Sequence, residues 1–307
     1  NFVVCKSEDR GLQRSLTKGA TFEDFYGFPI DSVNPCWGVS PDSMLIDRAT
    51  TSVGGGGIYD RSTAPIMPFC FDEYIHPDSL GNDTSILKSP IYLFLATGNF
   101  VWVCQNPFGP IDSVPTWNRV SNDMIQQNLS SGRKKYFTAI TSSNDANHYT
   151  YVATNNGEVW RLHGAHHPES FCVDTDAARI DGGSLPARWI TDIEVDPTNP
   201  NTVYVGAIGS PWGDHPERGV YKTTDGGSTW TQILYVDQKT GVGEMVMDPT
   251  NPNKLIVNMW EHRRQPWTFK SGGPGSGMHI TYDGGKTWKK ITSKQGLPEG
   301  ELGRMGI

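Results

Sequence analysis

The stretch "TTDGGSTW", Thr223 to Trp230, recurs 58 positions later as "TYDGGKTW", Thr281 to Trp288. The carboxylate of Asp225 can accept backbone N–H groups within a tight turn, and the two glycines supply backbone angles that are closed to other residues. Trp230 leaves the turn at a position where its ring can enter a core. The octet therefore predicts a strand–turn–strand unit that the chain uses more than once.

A longer repeat surrounds the octet. The segment "ITDIEVDPTNPNTVYVGAI" from Ile190 matches "GVGEMVMDPTNPNKLIVNM" from Gly241, and "FTAITSSNDANHYTYVATN" from Phe137 keeps the apolar alternation without the prolines. Each copy predicts a strand, an Asn/Pro turn and a second strand. A third strand ends at the D-G-G turn and a fourth begins with "TW", which gives four strands in about 50 to 60 residues.

Four-stranded antiparallel sheets repeated at this period predict an all-β fold, a β-propeller whose blades stack radially around a channel. A β-sandwich rarely repeats a turn sequence at a fixed period, and the repeats of a stacked solenoid are shorter. At the N-terminus, "VCKSEDRGLQR" aligns with the octet region and keeps Asp9, although Arg14 replaces the tryptophan. We expect the third strands near Val4, Ile58, Val101, Val159, Val220 and Met278.

The whole chain, residues 1–307, is expected to be one β-propeller domain of roughly six or seven blades, or part of a larger propeller. Residues 1–136 predict degenerate blades and residues 137–307 predict clear ones. The last residues, "ELGRMGI" from Glu301, are expected to be the first strand of another blade. Either the two ends complete one blade of a closed ring, or the chain is a piece of a longer propeller.

Composition excludes several partners and cofactors. The net charge is −7 and no basic run offers a footprint for phosphates, so no nucleic-acid partner is expected. No apolar stretch approaches the roughly 18 residues of a membrane span. No Cys or His spacing suits a metal site, and no cofactor is expected. Cys5 and Cys104 are expected as buried thiols in third strands, so that any disulfide would use Cys36, Cys70 or Cys172.

The pattern S/T-x-D-x-G-x-x-W resembles the Asp-box, or BNR repeat, of sialidases, sortilin-like receptors and bacterial repeat-containing "glycosyl hydrolase" propellers. A catalytic carboxylate is needed once per site, whereas this motif recurs blade after blade on an outer turn. We therefore expect a structural role for its residues, which are Asp9, Asp225, Gly227, Trp230, Asp283, Gly285 and Trp288.

From about Phe137 onward, the strings "ERGVYKTTDGG" and "RRQPWTFKSGGPGSG" make the resemblance more particular. They are similar to long bacterial Asp-box propellers related to the sortilin N-terminal domain. That resemblance implies a secreted, periplasmic or cell-surface location. Members of the family are typically longer and carry two propellers, which favours a fragment.

The connections between second and third strands are the long ones, at 206–219 and 259–277. In an up-and-down blade they lie on the face opposite the Asp-box turns, and we expect a protein or glycan ligand there. Of Arg263 and Arg264, at most one is expected to point inward, and the other to be solvated or paired with Glu217 or Glu261. The alternative is that these side chains only staple the loops together. The candidate ligand-binding residues are Trp212, Asp214, His215, Arg218, Trp260, Glu261, His262, Arg263, Arg264 and Trp267.

Two functions remain open from the sequence. One is a non-catalytic propeller that binds a protein or peptide, or is built into an assembly. The other is a glycoside hydrolase, which needs two carboxylates roughly 5 to 10 Å apart. Asp192 and Glu244 occupy equivalent positions on innermost strands and are the candidate pair, although they can equally be solvated strand residues. No other hydrolase motif is present.

Overall fold

The structure is a computed structural model. Its described residues form twenty β-strands and one short 3₁₀ helix, Ser293–Gln295. Asp9, Cys36, Ile58 and Cys172, which the sequence singled out, lie outside the described residues, and only the backbone of Cys5 is described. The described residues are 3–7, 11–15, 23–24, 68–72, 92–97, 100–104, 117–121, 124, 135–143, 149–165 and 177–307.

One compact unit comprises residues 1–137, 146–148 and 163–176, and the residues described in it form two antiparallel sheets. The first sheet, in the order β1-β2-β3, consists of β1 (Val3–Ser7), β2 (Gly11–Ser15) and β3 (Glu23–Asp24). The second, in the order β4-β5-β6-β7, consists of β4 (Phe69–Asp72), β5 (Tyr92–Thr97), β6 (Phe100–Cys104) and β7 (Trp117–Arg119). Cys104 ends the third strand of its sheet with its side chain fully buried, as predicted.

The other unit comprises residues 138–145, 149–162 and 177–307 and holds three consecutive sheets. Blade 1 consists of β8 (Phe137–Ser142), β9 (Thr150–Thr154), β10 (Val159–Leu162) and β11 (Ala177–Arg179). Blade 2 consists of β12 (Ile190–Val195), β13 (Val203–Ala207), β14 (Gly219–Thr223) and β15 (Thr231–Leu234). Blade 3 consists of β16 (Thr240–Asp248), β17 (Asn251–Gln265), β18 (Thr268–Ser271), β19 (Gly277–Thr281) and β20 (Lys289–Ile291).

The strands of each blade pair in chain order, apart from β18, which pairs with the extended end of β17. The third strands predicted near Val101, Val159, Val220 and Met278 are confirmed as β6, β10, β14 and β19. The predicted all-β fold of four-stranded antiparallel sheets is therefore confirmed; the described part of the first sheet has three strands, and β18 is an addition to blade 3.

Neighbouring blades bury their apolar faces against each other. The central strands β9 and β13 are buried along their whole length, because each carries a neighbouring sheet on a face. Side chains of blades 1 and 2 form one core cluster, which includes Tyr151, Val159, Ile193, Val205 and Trp230. A second cluster joins blades 2 and 3 through Tyr204, Leu234, Val242, Met245 and Val257. This burial explains why one blade cannot stand alone.

The two D-G-G turns have the same hydrogen bonds. In each, the threonine of "TW", Thr229 or Thr287, donates its backbone N–H, at 2.9 Å, and its hydroxyl, at 2.6 Å, to the aspartate. These bonds, the hydroxyl bond foremost, lower the pKa of Asp225 and of Asp283 to about 2. Gly227 has φ of +93° and Gly285 has φ of +89°, in the region that favours glycine.

The two kinds of short turn lie at one end of each blade. Gly226 donates its N–H to the carbonyl of Asn201 in the D-P-T-N-P-N turn, and Gly284 does the same to Asn253. The strand β13 pairs Val203 with Thr223 at that end and Ala207 with Gly219 at the other. The long connection of blade 2 therefore leaves from the opposite end, which confirms the predicted placement of turns and long connections on opposite faces.

The predicted strand at Glu301–Ile307 is wrong. Leu302 forms one isolated antiparallel bridge with Gly273, and the remaining residues of this segment lie outside strands. The segment instead follows blade 3: Asn258 donates its side-chain N–H to the carbonyl of Met305, and Ile307 donates its N–H to Glu244 at 3.2 Å. Its two glycines, Gly303 and Gly306, interrupt the apolar alternation that would hold a ladder.

Candidate functional site

The long connection of blade 3 is a β-hairpin, and the prediction of a loop over residues 259–277 is wrong. The strand β17 continues to Gln265, turns at Pro266 and Trp267, and pairs with β18. The extension is stable as a strand because the backbone N–H groups on its other edge are also hydrogen-bonded. His262 donates its N–H to the carbonyl of Lys239 at 3.3 Å, and Arg264 donates to the carbonyl of Pro211 at 2.8 Å. We call residues 260–271 the hairpin and residues 208–218 the blade 2 loop.

Arg218 holds the blade 2 loop together from inside. Its side chain is fully buried, and its guanidinium donates to the carbonyls of Ile208 at 2.7 Å, Ser210 at 2.6 Å and Gly213 at 3.0 Å. Its Nη1 also lies 3.3 Å from the ring of His262 in the hairpin. Burial lowers the pKa of Arg218 from its usual value. Arg218 therefore staples the loop and is not open to a ligand.

His262 and Trp260 are also interior residues of the hairpin. Their rings stack with centroids 4.5 Å apart, and the exposed fractions are 3% for His262 and 9% for Trp260. Burial, and then the charge of Arg218, lower the pKa of His262 to about 4. The imidazole is consequently neutral at pH 7 and packs as an aromatic ring. The guanidinium of Arg304 lies over Trp260, 5.7 Å from its centroid.

The acidic partners differ from those predicted for Arg263 and Arg264. Arg263 pairs with Asp214 at 2.7 Å, whereas Glu217 pairs with Arg188 at 2.8 Å. Glu261 accepts from Lys270 at 2.9 Å and from the N–H of Gly275 at 3.0 Å. Burial raises the pKa of Glu261, but the hydrogen bonds from Lys270 and Gly275 outweigh it and hold this pKa below its usual value. The pairing with Glu217 or Glu261 is not formed, because Glu217 is engaged by Arg188 and Glu261 by Lys270, whereas Arg264 is exposed, which is the solvated alternative of the prediction.

Aromatic side chains are exposed on both long connections. Trp212 in the blade 2 loop is 59% exposed, and in the hairpin Trp267 is 79% and Phe269 43% exposed. The guanidinium of Arg264 lies over the ring of Phe269, 5.0 Å from its centroid. In the blade 2 loop, burial lowers the pKa of the His215 imidazole, and the backbone N–H of His215 donates to the carbonyl of Gln238. Contacts between Arg218 and His262 and between Arg263 and Asp214 join the two connections. Of the ten predicted residues, Trp212, Asp214, Arg264 and Trp267 are exposed.

The candidate carboxylates lie on neighbouring inner strands and contact backbone. Asp192 accepts the N–H of Met245 at 2.7 Å on one oxygen and that of Ile193 at 2.9 Å on the other. Burial raises the pKa of Asp192 to about 7, and the charge of Glu244 adds to the rise. Glu244 in turn accepts the N–H of Ile307. Each carboxylate therefore accepts a hydrogen bond from a backbone N–H of the segment packed beside it, Asp192 from β16 and Glu244 from the C-terminal residues.

Sequence reasoning missed Glu194. Burial, and then the charge of Asp192, raise the pKa of Glu194 to about 8, while the N–H of Met247 bonds to it. The available signal was the strand period: Glu194 lies two residues after Asp192 and so on the same face of β12. Three carboxylates, with Glu244, thus border the inner strands of blades 2 and 3.

Among the side chains that the structure describes, no group of three or more His, Cys, Asp or Glu residues is arranged to hold a metal ion. Within the same part of the chain, no helix has the length and apolar character needed to cross a membrane.

Comparison with known proteins shows the fold. No protein-family model matches the chain, and no curated protein matches it. Among solved structures, an ancestral GH74 enzyme is similar with a TM-score of 0.53 and 13% identity, over 95% of this chain and 32% of that one. The GH74 xyloglucanase from Xanthomonas campestris has a TM-score of 0.47 and 14% identity, over 94% of this chain and 50% of that one. YCF48 bound to D1 peptide has a TM-score of 0.33 and 10% identity, over 67% of this chain and 79% of that one. The chain thus spans about a third of the ancestral enzyme and half of the xyloglucanase, and it shares the β-propeller fold.

Proposed function

We propose that this chain is a non-catalytic β-propeller module that binds a protein or peptide on the face of its long connections, or holds such a partner in an assembly. The observation that carries the proposal is the exposure of two tryptophans there, 59% for Trp212 and 79% for Trp267. Tryptophan is the residue type that most often anchors a protein interface, because it buries a large ring at a small entropy cost.

The segments that carry these rings support the proposal by their rigidity. The buried guanidinium of Arg218 fixes the blade 2 loop through three carbonyl contacts. The ion pair of Arg263 with Asp214 joins this loop to the hairpin. A surface held in one conformation before binding loses less entropy when the partner arrives.

The engagement of the candidate carboxylates argues against hydrolysis. Each oxygen of Asp192 already accepts a backbone N–H, and Glu244 bonds the segment that follows blade 3. A general acid or nucleophile must be free to meet a glycosidic bond. We therefore infer that these side chains support the packing of one inner strand on the next.

A glycoside hydrolase acting on a polysaccharide remains the second candidate for one reason. The pKa of Asp192 is raised to about 7, and Glu244 lies near enough to contribute to that rise. A carboxyl group that stays protonated near neutral pH beside a second carboxylate is the equipment of a glycosidase. Its test is the release of reducing ends from polysaccharides, with Asp192→Asn as the inactive variant.

We further propose that residues 1–307 belong to one propeller domain, that the chain acts outside the cytoplasm, and that its D-G-G turns are structural Asp-boxes. The identical hydrogen bonds around Asp225 and Asp283 support the last point, since a role repeated in successive blades is a role in folding. Neither turn lies on the face of the long connections.

The test compares two exposed aromatic residues on opposite faces. The immobilised protein is presented to an extract of its native source and, in parallel, to a glycan array. We expect specific capture of a protein that Trp267→Ala abolishes and that Tyr282→Ala leaves unchanged, because Tyr282 is 64% exposed in a D-G-G turn. Capture that is equally sensitive to Tyr282→Ala, or binding to glycans alone, would refute the proposal.

A further inference from the structure

The direction of the backbone groups in the hairpin follows from two hydrogen bonds. Arg264 is paired with Phe269 and His262 with Ser271 across β17 and β18. Both Arg264 and His262 nevertheless donate their N–H groups away from β18, to Pro211 and Lys239. In an antiparallel ladder such residues form the pairs without mutual hydrogen bonds. Phe269 and Ser271 must therefore point their own N–H and C=O groups away from β17.

This outward edge of β18 has no segment beside it at Phe269, whereas at Ser271 the segment of Leu302 and Gly303 lies against the outward carbonyl. Residues 177–307 are described without a gap, and in this range no backbone hydrogen bond joins the outward groups of Phe269 or Ser271 to another residue. The four side chains of β18 are exposed as well. An open edge of this kind is a template for pairing with an extended chain.

The same edge accepts a strand where it continues past Ser271. Two residues further on, Gly273 donates its N–H to the carbonyl of Leu302 at 3.3 Å, in an isolated antiparallel bridge. Gly272 donates its N–H inward to Glu261, so the N–H of Gly273 points outward. The segment of Leu302 and Gly303 therefore occupies the edge from Ser271 onward and leaves it open at Phe269, nearer the hairpin turn.

The charge of the hairpin selects the kind of chain that fits. Residues 262–271 hold two arginines and one lysine and no acidic residue, in a protein whose net charge is −7. Asp214 compensates Arg263 and Glu261 compensates Lys270. Arg264 is in no ion pair of the described residues, and its guanidinium lies on the ring of Phe269, on the face that an added strand would line. An aspartate or glutamate there would gain a charge-assisted hydrogen bond.

We propose that the outward edge of β18 binds an extended acidic segment of another polypeptide by strand addition. Its backbone pairs with Phe269, and an acidic side chain on the face shared by Arg264 and Phe269 meets Arg264, while the residue two positions along the segment, on the same face, covers Phe269. Trp267 at the hairpin turn closes one end of the site. This inference rests on the proposed function and deepens it, by naming the chemistry of the partner and its mode of binding.

The experiment uses the full chain and a labelled peptide of about eight residues in which glutamate alternates with valine or threonine. Two matched peptides serve as controls: one with lysine in place of glutamate, and one N-methylated at each glutamate, which cannot pair with the edge while a glutamate faces Arg264. Binding is followed by fluorescence anisotropy at two salt concentrations. We expect the glutamate peptide to bind and each control to bind at least about tenfold more weakly, since each loses backbone or charged hydrogen bonds.

Variants of the protein locate the site. The outward N–H of Phe269 has no ladder partner, so Phe269→Pro removes a donor from the edge without breaking the hairpin. We expect it to weaken binding by about tenfold or more, Phe269→Ala by less, and Arg264→Gln by about tenfold with a smaller salt dependence. Unchanged thermal unfolding verifies that each variant is folded, and the N-methylated peptide tests the edge independently should Phe269→Pro fail to fold.

The outcomes separate this inference from the function on which it rests. If the glutamate peptide binds Phe269→Pro as well as the parent protein, or binds no better than its N-methylated form, strand addition at β18 is refuted. If that happens while Trp267-dependent capture of a protein persists, the proposed function stands and only the edge is excluded. If the peptide does not bind and only oligosaccharides do, both are refuted.

Discussion

Replacing Arg218 by methionine should separate the role of this residue in folding from any role in binding. Methionine fills much of the volume but leaves the carbonyls of Ile208, Ser210 and Gly213 without their donor. The last two carbonyls belong to partly exposed residues and can be hydrated, whereas Ile208 is buried. One buried carbonyl without a partner, together with the lost packing, should lower the free energy of unfolding by about 2–4 kcal/mol.

The measurement is urea unfolding followed by tryptophan fluorescence, with Arg263→Met as the matched control. Arg263 makes one ion pair, with Asp214, and both side chains are well exposed, so its loss should cost less than about 1 kcal/mol. Arg218→Lys keeps the charge but not the forked donors, and should fall between the two variants. Equal stability of Arg218→Met and Arg263→Met would refute the assignment of Arg218 as a buried staple.

Three further predictions concern stability. Trp230→Ala should cost about 3–5 kcal/mol, because this ring is 7% exposed and bonds the carbonyl of Ile180, and Trp288→Ala should cost less because Trp288 is only half-buried. An equal loss in urea unfolding would contradict this. Gly227→Ala should destabilise strongly in the same assay, because a Cβ there meets the Ile180 carbonyl oxygen at φ of +93°; a neutral effect would show that the turn is not rigid. Because the pKa of His262 is lowered to about 4, its neutral form stabilises the native state fully above about pH 6.5, and this stabilisation is lost as the pH falls towards 4. Between these pH values the parent protein should therefore lose up to about 3 kcal/mol more stability than His262→Gln. Parallel plots of stability against pH for the two proteins would count against this.

The strands and short turns could be predicted because their causes are local. The alternation of apolar residues in "TVYVGAI" and the turn chemistry around Asp225 act within about eight residues, and both copies fold alike. The opposite placement of the long connections followed from strand parity alone. Two pairs of the candidate residues, Arg263 with Asp214 and Arg218 with His262, lie in contact because consecutive blades bring equivalent connections side by side.

The roles of those residues could not be predicted, because they depend on contacts between distant parts of the chain. The run of charged residues from Glu261 to Arg264 predicts a loop, yet it continues as a strand whose N–H groups find carbonyls in the preceding segments. Arg218 was expected to meet a ligand and is instead enclosed by its own loop. Nothing local distinguishes the arginine that becomes buried from the one that stays open.

The sequence by itself determined the repeat, the sheet order and the face that carries the long connections, because each is set by periodicity and turn residues close together in the chain. Only the tertiary structure decided which carboxylate pairs with which cation, how Asp192 is held by Met245, and that Phe269 lies on an open edge. Each of these contacts depends on where a neighbouring blade or loop places one backbone group. A shift of about 1 Å in that position is enough to form or break a hydrogen bond.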